Sequence, residues 1–218
     1  MDIREQRLQR VRDVINRDCI ARVPLGSKEL PAKGGNAYYT WQFYLRRALL
    51  NPICLQLLCE DFWAKNTDFY LERPFQLAGV EAACVPIVTA LVLDGARRGF
   101  PVNAFTIRKY RKEYGRRNLT EGRPSNEPVM FIDDLTSPQH NAFWHAMYGI
   151  GLESLRLCGK GYVLVLKKTV EEPRTISTSQ GNIFIDSLFT LTDFILSYED
   201  WETHLSKEKQ APEKAFAI

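Results

Sequence analysis

VMFIDDLTSPQHNAF, residues 129–143, is the stretch on which the reading of this chain turns. Its first four residues are continuously apolar, as in a strand covered on both faces. Two neighbouring carboxylates, Asp133 and Asp134, close that strand. The loop that follows, Leu135 to Asn141, contains no glycine. Aspartate is a common turn residue, so a plain strand-end turn is the alternative to a carboxylate pair presented to a ligand.

Outward from this stretch the chain alternates regularly. PFQLAGV (74–80) reads as a short strand, and VPIVTALVLDGARRGF (85–100) as an apolar helix that stops at a glycine. NAFTIRKY (103–110) is strand-like and leads into the charged run KYRKEYGRRNLTEGRPSNE. After the opening stretch, SPQHNAFWHAMYGIGLESLRLCG is helical and GYVLVLKK (161–168) is another buried strand. NIFIDSLFTLTDFILSYEDWETHL reads as a strand followed by an amphipathic helix. Upstream, residues 1–22 predict a basic amphipathic helix with Ile3, Leu8, Val11, Val14 and Ile15 on its apolar stripe. VPLGSKELPAKGGNAYY is an irregular connection, and NPICLQLLCEDFWAK is mixed strand and helix. The pattern predicts one α/β domain over 1–218, with a mostly parallel sheet flanked by helices and a core at 74–170.

Composition sets bounds. The 218 residues are 45% hydrophobic and 25% charged, with a formal net charge of +3, so no global field demands a nucleic-acid partner. No apolar run is long enough to span a bilayer, and MDIREQRLQR is too polar for a signal peptide, which predicts a soluble, cytoplasmic protein without a membrane partner. Cys19, Cys54, Cys59, Cys84 and Cys158 lack metal-ligand spacing and read as reduced core thiols. His140 and His145, five apart, do not share a helical face, so zinc is not expected. The arginines of the first helix read as a solvated face, with contact to a protein or nucleic acid as the alternative.

In an open α/β sheet ligands bind at the carboxyl ends of the strands. LAGVEAAC, RKYRKEYG, DDLTSPQHN and KKT all fall there. Arg108, Lys109, Arg111 and Lys112 supply cations, Asp133 and Asp134 supply hard oxygen acceptors, and two helices begin nearby. Phosphates with a free ribose edge, or a magnesium ion, suit that set. A solvated loop is the plain alternative for the cationic run.

These residues also carry a resemblance. From Phe75 to Thr169 the chain resembles the type I phosphoribosyltransferases, orotate phosphoribosyltransferase in particular. FTIRKYRKEYGRRNLTEG is similar to that enzyme's mobile catalytic loop, R-K-x-x-K-x-H-G with a later Glu-Gly pair. Arg108, Lys109, Lys112, Gly115, Glu121 and Gly122 match it, and Tyr114 replaces the histidine. VMFIDDLTSPQHNAF resembles the signature loop for phosphoribosyl pyrophosphate (PRPP), and DSLFTLTDF the closing segment. FYLRRALLNPIC aligns on the base-binding loop F-x-L-K-S-G-x-x-S-P, with Arg46 at the lysine.

The resemblance implies the type I phosphoribosyltransferase fold with an N-terminal helix and a small base-binding hood. It implies transfer of phosphoribosyl from PRPP to a base with release of pyrophosphate, magnesium (Mg2+) as cofactor, and a homodimer. Asp133 and Asp134 would hold the ribose hydroxyls, directly or through the metal. Arg108, Lys109 and Lys112 would stabilise the leaving pyrophosphate. Gly79, Thr136, Ser137, Gln139, His140 and Asn141 would bind the phosphates, and Arg46 and Lys168 the base. Three departures stand out. Gln139 occupies a glycine position beside Pro138, which weakens a phosphate cradle built from backbone donors. LAGVEAACVP carries alanines and Cys84 where glycine is usual. Ile53 and Cys54 replace aromatics that cover the pyrimidine. Two further readings follow from these changes: a non-catalytic or partner-controlled nucleotide-binding regulator or effector, for example in a bacterial defence system, and an N-glycosidase-like cleavage of a nucleotide.

Overall fold

The computed structural model describes residues 2–22, 30–31, 38–39, 41–108, 119–136, 141–152, 154–166, 174–194 and 196, with the backbone alone for 30–31, 38–39, 141–145 and 152. The chain opens with α1 (Ile3–Val14), which buries Leu8 and Val11 and widens into one π-type turn at Ile15–Cys19. β1 (Ile20–Arg22) follows, then β2 (Leu30–Pro31), β3 (Tyr38–Tyr39) and β4 (Trp41–Phe43). β1 pairs antiparallel with β4, Ile20 opposite Phe43. The helix expected to run through residue 22 thus ends at Cys19, because Ile20–Arg22 gain a ladder partner.

After α2 (Arg46–Leu49) comes α3 (Pro52–Glu72), one unbroken 21-residue helix rather than the mixed segment expected there. Its start is well specified. Asn51 accepts from the backbone N–H groups of Ile53 and Cys54, and Pro52 occupies the first turn, where its missing N–H costs nothing. Buried Cys54, Leu57, Leu58, Asp61 and Phe62 follow helical spacing.

Then come β5 (Gln76–Val80), α4 (Val85–Arg97), β6 (Ala104–Ile107), β7 (Thr120–Gly122), β8 (Val129–Thr136), α5 (Asn141–Leu152), β9 (Leu157–Leu166), β10 (Thr175–Thr178) and β11 (Gly181–Thr190). They build a seven-stranded sheet in the order β10-β11-β9-β8-β5-β6-β7. The five inner strands run parallel, while β7 and β10 are antiparallel to their neighbours. The sheet is therefore mixed but mostly parallel. α4 ends at Arg97 and is capped by Arg98, just before Gly99, whose φ of +83° suits a residue without Cβ.

β6 lies on one side of β5, and β9 lies on the opposite side of β8. Right-handed crossovers in opposite directions put their helices on opposite faces. One face buries Leu77, Met130, Ile132, Tyr162 and Leu164 beneath α3 and α4. The other buries Ala78, Phe131, Val163 and Ile185 with Ala146 and Ile150 of α5. α1 is tied to α3 by Arg4–Asp61 at 2.6 Å and Arg7–Glu60 at 2.8 Å. Other arginines of this region pair within the chain as well, Arg12 with Glu5 and Asp193 and Arg17 with Asp18. No helix among the described residues is long and apolar enough to cross a membrane.

Candidate active site

The strand order reverses between β5 and β8, and such a switch point is where open α/β sheets leave a crevice. The β5–β8 ladder ends at Ala78 opposite Phe131, whereas β8 stays paired with β9 to Thr136, opposite Leu166. Asp133 and Asp134 are therefore inside the strand, not at its end. Asp133 is buried and Asp134 partly so. One carboxylate oxygen of Asp133 accepts the backbone N–H of Asp134 at 2.9 Å, and the other accepts the Thr136 hydroxyl at 3.4 Å.

Burial pushes Asp133 well above the usual carboxylate range, and the charge of Asp134 pushes it the same way. Burial raises Asp134 too, against a hydrogen bond from Asp133 and the positive field of Arg46. Physically, two neighbouring carboxylates withdrawn from water resist carrying two charges, and the more deeply buried Asp133 is raised the more strongly. Arg46, on the exposed start of α2, thus acts on the acid pair.

Next along the carboxyl edge is the loop after β5, with a cis peptide bond between Glu81 and Ala82. Gly79 lies beneath it within β5. A Cβ there would sit 2.0 Å from the Ile132 carbonyl oxygen and 2.7 Å from Cys84 Cβ, so the missing side chain makes room for β8 and Cys84. The Cys84 thiol is buried and its pKa is raised by desolvation first, then by Asp133, Asp134 and Glu81. It is no nucleophile in this state.

Arg108 follows β6 directly. Its Nη1 donates to Glu121 Oε1 at 2.7 Å, and its Nη2 stands 3.6 Å from Glu81 Oε1. Sequence reasoning matched Glu121 only as part of a pattern and overlooked Glu81. The signal was a single charge inside the otherwise apolar LAGVEAAC. The Thr136 hydroxyl is turned toward Asp133. Cys54 is buried and Ile53 exposed in the first turn of α3. Asn141 starts α5, with only its backbone described. Lys109, Lys112, Ser137, Gln139, His140 and Lys168 lie outside the described residues.

No protein-family model matches the chain. It is 28% identical over 184 residues to orotate phosphoribosyltransferase of Bradyrhizobium diazoefficiens, covering 82% of this chain and 93% of that relative. Among solved structures, a phosphoribosyltransferase from Corynebacterium diphtheriae superposes with a TM-score of 0.63 at 18% identity, over 86% of this chain and 98% of that one. Orotate phosphoribosyltransferase from Mycobacterium tuberculosis H37Rv gives the same TM-score, identity and coverage. The structural likenesses speak for the fold, and the sequence match, spread over most of both chains, adds common descent. The chain is a member of the type I phosphoribosyltransferase superfamily, related to the orotate phosphoribosyltransferases at low identity.

Proposed function

We propose that the protein is a divergent phosphoribosyltransferase that binds PRPP, or a related ribose phosphate, and transfers the phosphoribosyl group to a base. A base nitrogen forms the new bond to the ribose anomeric carbon as the bond from that carbon to the diphosphate oxygen breaks, and pyrophosphate leaves with the electron pair. One observation carries this reading: two neighbouring carboxylates, Asp133 buried and Asp134 partly so, stand at the switch-point crevice of a phosphoribosyltransferase fold.

Asp133 and Asp134 are suited to orient ribose hydroxyls and to face the positive charge that develops on the sugar ring. Holding the ribose against the base supplies the positional part of the rate enhancement. Arg46, exposed and within the field of Asp134, is assigned to the acceptor base. Arg108, Lys109 and Lys112 are assigned to the diphosphate, with Thr136, Ser137, Gln139, His140 and Asn141 toward the 5′-phosphate and Lys168 toward the base.

The donor set fits magnesium only as part of the substrate complex. Among the described residues no group of three metal-binding side chains occurs, and two carboxylates suit an ion that keeps its waters and substrate phosphates as ligands. Bound with PRPP, the ion would neutralise the diphosphate. A homodimer belongs to this reading.

A second reading, a nucleotide-binding regulator without turnover, is favoured by one observation. The described cation of the catalytic-loop motif, Arg108, is held between two glutamates. Calorimetric titration with PRPP and magnesium tests both readings. Binding is expected for the parent and its loss for Asp133→Asn/Asp134→Asn. No heat from the parent at millimolar ligand sinks the enzyme reading, and binding without turnover on a panel of bases selects the regulator.

A further inference from the structure

Glu81 is the first residue beyond β5, and its backbone N–H donates to the Ile107 carbonyl at 2.9 Å. Arg108 comes right after Ile107, with its own N–H bonded to the Leu119 carbonyl at 2.8 Å. Both backbones are pinned, so the two side chains meet from fixed stations. Their contacts with Arg108 differ in kind. The 2.7 Å bond to Glu121 is a full charge-assisted hydrogen bond that joins the two ends of the 108–121 segment. The 3.6 Å approach of Glu81 is beyond hydrogen-bond range, a charge contact that separates at little cost.

The side chains of Arg108 and Glu81 are 25% and 29% exposed, so an incoming anion reaches both. Arg108 keeps its Nε–H buried with no acceptor among the described residues, and a donor in that position gains from a new oxygen. Glu81 and the Asp133–Asp134 pair both act on the Cys84 thiol, so the charge of Glu81 and that retained by the acid pair converge on the start of α4. An anion entering there is repelled unless one carboxylate withdraws or the anion arrives neutralised.

We propose that Glu81 is an internal stand-in for diphosphate: it occupies Arg108 in the ligand-free protein and yields it to the diphosphate of the ligand, while Glu121 keeps its bond. Glu81 thereby sets how tightly diphosphate is held. This rests on the proposed function above, which gives Arg108 to the diphosphate. It adds a specificity-determining residue that touches no reacting atom.

The test is calorimetric titration of pyrophosphate with magnesium into the parent, Glu81→Gln, Glu81→Asp, Arg108→Ala and the Glu81→Gln/Arg108→Ala double variant. Both Glu81 variants are expected to bind about two- to fivefold more tightly, the range that a partly exposed ion pair is worth. Glu81→Asp keeps the charge but withdraws it by one methylene, so it separates contact from general field and replaces Glu81→Gln if that variant does not fold. The gain is expected to vanish without Arg108. A gain that persists in the double variant, or an unchanged Glu81→Asp, overturns the exchange. Equal affinity of the parent and both Glu81 variants overturns it and leaves the proposed function standing. Absence of pyrophosphate and PRPP binding in every protein overturns both.

Discussion

Asp133 is a buried carboxylate inside a central strand of the candidate site. Its raised pKa means that the native state binds more protons than the unfolded chain between the ordinary carboxylate value of about 3.9 and its own higher one. Stability contributed by this residue is therefore greatest at low pH and falls as pH rises through that window. Asp133→Asn removes the liability. Thermal melts are expected to show a higher Tm for the variant at pH 7.5, with the gap closing toward pH 4, at about 2–4 °C per kcal/mol. On the proposed function, PRPP binding is expected to fall in the same variant, the trade expected where a site keeps a group that folding does not need. The acid pair was legible because two aspartates in a buried strand are conspicuous. Its position inside the strand was not, since whether β8 stops at Leu135 or reaches Thr136 depends on the length of β9 beside it. The side-chain partner of Arg108 was equally hidden, because Glu81 and Arg108 are joined by parallel strand register rather than by sequence spacing.

At the scale of elements, α3 and α4 show how packing overrules local preference. Gly95 is inside α4, where alanine would ordinarily add about 1 kcal/mol of helix stability. Its Cβ, however, would meet the Trp63 ring at 2.5 Å and the Phe100 carbonyl oxygen at 2.8 Å. Overpacking costs about 1–3 kcal/mol, so Gly95→Ala is expected to lose up to about 2 kcal/mol net in urea unfolding rather than gain about 1. α3 itself misled sequence reasoning. Its dense apolar and aromatic residues obscure the 3.6-residue period, although the Asn51-Pro52 start was present to be read. The strand and helix alternation from residue 74 was legible because buried parallel strands leave continuous apolar runs. β7 was not, because Thr120–Gly122 is a three-residue edge strand inside a charged run and is held by β6.

For the whole molecule, ligand binding and folding are linked. A ligand at one hundred times its Kd adds about 2.7 kcal/mol to the native state. PRPP with magnesium is expected to raise Tm by roughly 5–10 °C in a scanning fluorescence melt, and Asp133→Asn/Asp134→Asn to abolish the shift. The α/β class and the placement of the crevice were legible from the order of strands and helices. The sheet order itself was not, since nothing local tells β8 to pair with β5 rather than β6. That order has one last consequence. Among the described residues, the two outermost strands of this sheet, β7 and β10, are three and four residues long, mostly polar, and each antiparallel to its one sheet neighbour. They offer a second copy too little open ladder to continue the sheet. Among the described residues, the rims of the main sheet are thus poor templates for edge-to-edge polymerisation.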